Sequence, residues 1–286
     1  MLNAPARPRK SQPQKASKSA DREDGAWQNL NMAKELDTKP DSRAGPRFHI
    51  REKLGNGSEM RLPPDAAHHA GRVLRLEVGD AVALFDGRGG EFDARVTRME
   101  RGDVWVKTGA HRSIERESKL QVVLAQGLSS GDRMDFTVQK AVELGVSAIQ
   151  PVAMERSVVK LRDERASRRV EHWQNLVISA CEQSGRNQVP QVAPVLEFRQ
   201  WIAQLPDAVE TRLLMSPAAL VSLREFAPAP QQVLLLAGPE GGLSPVENEI
   251  AQSRAFKPVR LGPRVLRTET AAIAALAAMQ ALWGDF

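Results

Sequence analysis

Apolar and polar positions follow two different patterns along this chain. The change falls at residues 111–119 (His111-Arg112-Ser113-Ile114-Glu115-Arg116-Glu117-Ser118-Lys119), an almost wholly polar stretch that reads as a domain boundary. Before it the apolar runs are short and alternating. Ala81-Val82-Ala83-Leu84-Phe85 reads as a strand, Asp86-Gly87-Arg88-Gly89-Gly90 as a hairpin turn, and residues 91–99 return with Phe92, Ala94 and Val96 in alternation. Arg101-Gly102-Asp103 turns into a further strand at Val104-Trp105-Val106, and Pro63-Pro64 opens a short helix over 65–74. Residues 46–110 therefore predict a small β-rich unit.

After the boundary, continuous apolar strands alternate with helical periods. Strands are expected at 120–125, 148–152, 213–215, 233–236 and 258–261. A helix over 132–144 carries Met134, Val138, Ala141 and Val142 on one face. A longer one over 164–184 buries Val170, Trp173, Val177, Ala180 and Cys181 and stops at Gly185. The last helix, 271–282, is alanine-rich and apolar all round, which calls for burial on more than one side, inside the domain and against a second subunit. Strands of this kind between amphipathic helices predict an α/β fold with a parallel sheet covered on both faces.

Residues 1–44 show no apolar period. They hold 9 basic and 6 acidic residues, or +3 of the formal net charge of +5, so a basic surface elsewhere needs uneven placement of charge. The segment reads as a solvated tail or a mis-set start, with a weak RNA-tethering arm as the functional alternative. The longest near-apolar run, 271–279, is too short to span a bilayer, and no signal peptide is visible; a cytoplasmic protein is expected. The single cysteine, Cys181, excludes an internal disulfide and a cysteine-rich zinc site, and its place on the buried stripe makes it a core thiol. His68 and His69 have no partners at metal spacing, and Gly87-Arg88-Gly89-Gly90 lacks the Lys-Ser/Thr of a phosphate loop, so a surface role and a tight turn are expected. Arg47, His49, Arg51, Arg72 and Arg75 are candidates to grip an RNA backbone. Arg156, Lys160, Arg162, Arg165, Arg168 and Arg169 outnumber Glu155, Asp163 and Glu164, and suit a solvated helix face and an RNA contact equally.

Two loops carry the chemistry. The first follows the strand at 233–236 and reads Gly238-Pro239-Glu240-Gly241-Gly242-Leu243-Ser244-Pro245. Its glycines permit close backbone approach and positive φ, and Ser244, Pro245 and Glu247 make a capping box for the next helix. A strand-to-helix turn needs fewer glycines than this, which favours a ligand over a turn alone. The second loop, Leu261-Gly262-Pro263-Arg264-Val265-Leu266-Arg267-Thr268-Glu269-Thr270, places Thr268 as a helix N-cap with Glu269 in the first turn. Arg264 and Arg267 gain nothing from a helix start; an anion or a base oxygen acquiring charge explains them better.

These two loops closely resemble the corresponding motifs of the small-subunit ribosomal RNA uridine-N3 methyltransferases of the SPOUT superfamily. So do Gln126-Gly127, Asp132-Arg133-Met134-Asp135, the run Gln139-Lys140-Ala141-Val142-Glu143-Leu144-Gly145-Val146, Glu155-Arg156-Ser157 and Cys181-Glu182-Gln183-Ser184-Gly185-Arg186. The resemblance runs from about Arg47 to Trp283. It implies a disordered leader over 1–44, a PUA-like RNA-binding β domain over 45–112, and a methyltransferase domain with a deep trefoil knot over 118–286. It implies a homodimer and bent S-adenosylmethionine held around Leu236, Gly238, Glu240, Gly241, Leu261, Gly262, Leu266 and Thr268. The expected substrate is one uridine of small-subunit RNA, free or in the 30S particle, with no metal and no membrane involved. Uridine N3 carries a proton and a delocalised lone pair, so the site must deprotonate it, steady charge on the flanking oxygens and align it with the methyl. Arg267 is the candidate for the developing anion and Glu240 or Glu269 for the proton; Arg47, Arg72, Arg156 and Arg264 are candidates for RNA. Another SPOUT enzyme with a different target atom, and a non-catalytic RNA-binding or ribosome-assembly factor, are the alternatives.

Overall fold

The structure is a computed structural model and describes residues 45–159, 163–207, 211–226 and 229–286. The expectations for residues 1–44, and for Lys160 and Arg162, lie outside the described residues.

The first elements are β1 (Arg47–His49), β2 (Glu59–Arg61), α1 (Pro64–His68), β3 (Ala81–Phe85), β4 (Glu91–Glu100) and β5 (Asp103–Arg112). The strands form one sheet in the order β1-β3-β4-β5-β2. The β3–β4 and β4–β5 pairs are antiparallel, while β1 lies parallel to β3. Alternation builds the core: Ala94 sits opposite Val82 and Val96 opposite Val106, and these meet Phe48 and Leu84 on the buried face. The helix after Pro63 is tighter at first and then widens into a π-helical turn, His69–Val73, which turns Ala67 and Ala70 inward. The turn at 86–90 is a hairpin turn. Gly90 has φ +67°, a Cβ there would stand 2.7 Å from the Arg112 carbonyl oxygen, and its N–H donates to the Glu115 carboxylate.

The second sheet is built by β6 (Gln121–Gly127), α2 (Gly131–Glu143), β7 (Ala148–Ala153), α3 (Asp163–Ser184), β8 (Gln191–Val192), β9 (Leu196–Glu197), α4 (Phe198–Ala203), β10 (Thr211–Met215), β11 (Gln232–Ala237), α5 (Pro245–Ser253), β12 (Lys257–Val259) and α6 (Thr268–Trp283). Its order is β12-β10-β11-β6-β7-β8, with β9 also paired to β7, and every pairing is parallel. The continuous apolar strands are explained by cover on both faces. In β11, Val233, Leu235 and Ala237 join the core beneath α2, α3 and α6, whereas Leu234 and Leu236 join Phe198, Trp201 and Ile202 of α4 and Ala251 of α5. Each such leucine, fully buried, contributes about 1.5–3 kcal/mol.

α6 packs on α2, β6 and β11 through Ala272, Ala275, Leu276 and Met279. Gln280 is buried on the same side and is satisfied: its amide donates to the Leu144 carbonyl (3.0 Å) and its oxygen accepts from the Ser118 hydroxyl (2.7 Å). Cys181 is a core thiol, and burial pushes its pKa up to about 12.

Arg47 does not face outward as a backbone-gripping residue would. Its guanidinium is paired with Glu91, itself 1% exposed, and donates to the Arg186 carbonyl (3.0 Å) and the Asn187 side chain (2.7 Å). Beside it the His49 N–H donates to Glu182 at the end of α3 (2.9 Å). A buried carboxylate needs a cation, and β1 supplies it to join the small sheet to α3. Arg72 is exposed on the π-helical turn.

Candidate active site

β10, β11 and β12 end side by side, with Leu214 opposite Leu236 and Met215 opposite Val259. The carboxyl edge of a parallel sheet is where α/β folds place ligands. There the first loop, 238–244, and the second, 260–267, enclose a cavity of about 490 Å³ together with Met215, Ser216 and Pro217 from the end of β10. That volume suits a small-molecule site.

A single hydroxyl ties the two loops. Thr268 Oγ1 donates to the Gly238 carbonyl (2.5 Å) and accepts from the buried amide of Gln126 on β6 (3.1 Å). Thr268 is therefore not the N-cap. That place falls to Arg267, whose side chain makes no cap. The other helix start matches its sequence signature: Ser244 and Glu247 form a reciprocal capping box after Pro245 is set at N1. Glu247 also accepts from the Glu155 N–H (2.9 Å), which anchors the loop after β7 to the first glycine loop.

The glycines divide by task. A Cβ on Gly127 would lie 2.5 Å from the Pro239 nitrogen, so β6 and the first loop touch backbone to backbone. A Cβ on Gly241 would lie 2.8 Å from Cβ of Arg156, whose guanidinium donates to the Gly241 (3.2 Å) and Leu243 (3.4 Å) carbonyls. Gly242 (φ +66°) and Gly262 (φ +149°) have positive φ and face open space. Positive φ is thus confined in these loops to two glycines, and Gly238 and Gly241 serve close packing instead.

Of the residues singled out in the sequence, Gly238, Glu240, Gly241, Leu261, Gly262, Arg264, Leu266, Arg267, Thr268 and Arg156 all line the cavity. Leu236 does not; its side chain lies in the core on the α4–α5 face, beneath the loop. Glu269 is set back from the cavity on the first turn of α6. Arg47 and Arg72 belong to the small sheet's region, away from the lining. The lining also includes Met215, Ser216, Asn248, Arg260 and Arg133, which the motifs did not single out. Met215 and Ser216 follow from their position at a strand's carboxyl end; Arg133, inside a matching stretch at the start of α2, had no role without the fold.

Glu240 is held on two sides. Its Oε1 accepts from the Ser130 N–H (2.8 Å) and from Arg133 (3.3 Å). Burial works to raise its pKa, but the hydrogen bonds from Ser130 and from its own backbone N–H, with the Arg133 charge, outweigh burial and hold it below the ordinary carboxylate value. Arg133, Arg156, Arg260, Arg264 and Arg267 all line this one cavity, an arrangement suited to a polyanion. Among the described residues, no group of three or more His, Cys, Asp or Glu is placed to hold a metal ion, and no helix is long and apolar enough to cross a membrane.

Residues 116–280 match the family model of an RNA methyltransferase domain, and residues 62–108 match that of an RNA methyltransferase PUA domain. The chain is similar to ribosomal RNA small subunit methyltransferase E of Buchnera aphidicola, 32% identical over 240 residues that cover 84% of this chain and 97% of the relative. Among solved structures it is similar to ribosomal RNA small subunit methyltransferase E of Neisseria gonorrhoeae bound to S-adenosylmethionine (44% identity, TM-score 0.78, 84% of this chain and 99% of that one). A putative methyltransferase of Legionella pneumophila, in complex with the same cofactor, is equally similar in fold (39% identity, TM-score 0.80, 84% and 99% covered).

Proposed function

The chain belongs to the RNA methyltransferase family that these relatives share, and we propose that it transfers a methyl group from S-adenosylmethionine to N3 of one uridine in small-subunit ribosomal RNA. The observation that carries the reading is the closure of two glycine loops, by Thr268 on Gly238, around one cavity ringed by arginines.

S-adenosylmethionine is the cofactor, as in the solved relatives, and the residues present fit it. Leu261, Leu266, Met215 and Ala271 would hold its apolar parts, Ser216 and Asn248 offer polar groups, and the open space beside Gly262 leaves room for a ligand against the backbone. Leu236 supports the site from below rather than touching it. When bound, the cofactor supplies a sulfonium methyl already activated toward nucleophiles, so the remaining difficulty is the acceptor. Arg267, exposed at the opening and adjacent to the start of α6, steadies the negative charge that grows on the uracil oxygens. Arg156 and Arg264 hold phosphate. Of the two candidate carboxylates for the N3 proton, Glu269 stands back from the cavity, and Glu240, with its lowered pKa, is a weak acceptor and serves chiefly to hold the loop.

The same reading makes residues 45–112 a PUA-like RNA-binding domain, with Arg72 on its exposed side, and 118–286 the catalytic domain. It includes a trefoil knot in the catalytic domain, a homodimer and a cytoplasmic location. The parallel sheet that sets β12 beside β10 and returns α6 against α2 supports the knot. The apolar composition of α6, with Leu282 exposed on it, supports the dimer.

Primer extension on small-subunit RNA from cells with and without the gene should show one stop that depends on the gene, and nucleoside mass spectrometry should identify 3-methyluridine there. A methyl on another base atom or on a ribose 2′-oxygen would replace this target with another. Calorimetry in which the purified chain takes up no S-adenosylmethionine would replace the enzyme with an RNA-binding factor.

A further inference from the structure

Three elements of the site, α2, the first loop and α6, meet at the Arg133 guanidinium. We propose that Arg133 is a positioning residue, a latch that sets the separation of the two cavity loops by holding Glu240 of the first loop and Glu269 of α6 on one cation.

The start of α2 has no side-chain cap of its own, because Ser130 makes none. The Ser130 N–H is instead received by Glu240, so a carboxylate from another loop closes this helix end, where the helix dipole favours a negative charge. One turn into α2, Arg133 donates to the same Glu240 oxygen at 3.3 Å and brings its Nε to within 4.0 Å of Glu269. The remaining oxygen of each carboxylate is buried without a hydrogen-bond partner. Two carboxylates in such a corner repel each other and have lost water, and the guanidinium between them is the group that offsets both costs. A planar fork can serve two carboxylates at once, which an ammonium does less well. Glu240 belongs to the loop that ends at Ser244, and Glu269 follows directly on Thr268, the residue that ties the loops from the other side. The cavity wall is thus pinned twice, by a hydroxyl in its floor and by an ion triad at its edge. Arg133 itself is 41% exposed and lines the cavity.

The latch rests on the proposed function only for the identity of the ligand. It is tested with the full chain, wild type, Arg133→Met and Arg133→Lys, each checked by thermal melting for a cooperative fold. Without ligand, amide hydrogen exchange at Ser130 should quicken about tenfold or more in Arg133→Met, the loss expected when a hydrogen bond to a charged group is weakened. Calorimetry with S-adenosylmethionine between pH 4 and 8 should show affinity falling about tenfold. The acid limb of binding should move to higher pH, because Glu240 loses a cation that lowers its pKa. Arg133→Lys, which keeps the charge but not the fork, should restore part of the affinity and return the limb toward wild type. Unchanged exchange at Ser130 together with an unmoved acid limb would overturn the latch. So would intact cofactor affinity with a raised KM for RNA alone, which would make Arg133 a substrate contact. If the wild type took up no S-adenosylmethionine, the choice of ligand would fail, while the exchange rates would still decide the latch.

Discussion

Two glycine-rich turns in this chain have nearly the same composition and opposite fates. Gly87-Arg88-Gly89-Gly90 joins antiparallel strands of the small sheet, and protein fills it: Glu115 takes the Gly90 N–H, and His111 and Arg112 crowd the space where a side chain would stand. Gly238-Pro239-Glu240-Gly241-Gly242 leaves a parallel strand at the sheet's carboxyl edge, where the loop lines a cavity and Gly242 faces open space. What separates them is strand direction. An antiparallel turn folds back on its own neighbours, whereas parallel strands must send their chain away over the sheet, and adjacent exits leave a gap between them.

Arg267→Ala removes charge at the opening of the second site and should lower methyl transfer on the order of a hundredfold or more with cofactor affinity kept; single-turnover assays beside calorimetry measure the two separately, and near-normal turnover would remove Arg267 from the chemistry. Next come paired glycine substitutions. Gly241→Val pushes on Arg156 and should weaken S-adenosylmethionine binding about tenfold while the melting temperature changes little. Gly90→Val meets the Arg112 carbonyl at positive φ and should cost about 1–3 kcal/mol of stability with affinity unchanged. If both variants lost the same property, the two turns would not differ as described.

The smallest effect concerns the junction beside the filled turn. Burial raises the pKa of Glu182, against the backbone hydrogen bond from His49, which lowers it. A carboxyl whose folded pKa lies above its unfolded value of about 4.3 contributes stability that is present below that value and lost as pH rises through the folded one. Glu182→Gln keeps an acceptor for the His49 N–H and should leave the melting temperature at pH 7 equal to or a degree or two above wild type, with the gain gone by pH 4. A clear drop at pH 7 would mean that the charge itself is needed there.

Much of this was legible beforehand. The hairpin over 81–99, the helices over 132–144 and 164–184 and the capping box at Ser244 came from local rules, namely turn residues, a 3.6-residue period and a cap spacing, and each is present. β1 and β2 leave no mark in the apolar pattern because three-residue strands show too little alternation to register. Thr268 looked like an N-cap because the local pattern is the same whether its hydroxyl serves its own helix or a carbonyl 30 residues away. Arg47 resembled a surface cation because nothing near it in the chain announces Glu91 or Asn187.

The amino-acid sequence by itself set the longer elements, their order, and the family that the loop motifs mark. Those depend on neighbours a few positions away. Which face Leu236 presents, what Arg133 holds, and which of two glycine turns opens onto a cavity came only with the assembled sheet, because each depends on partners brought close in space from distant parts of the chain.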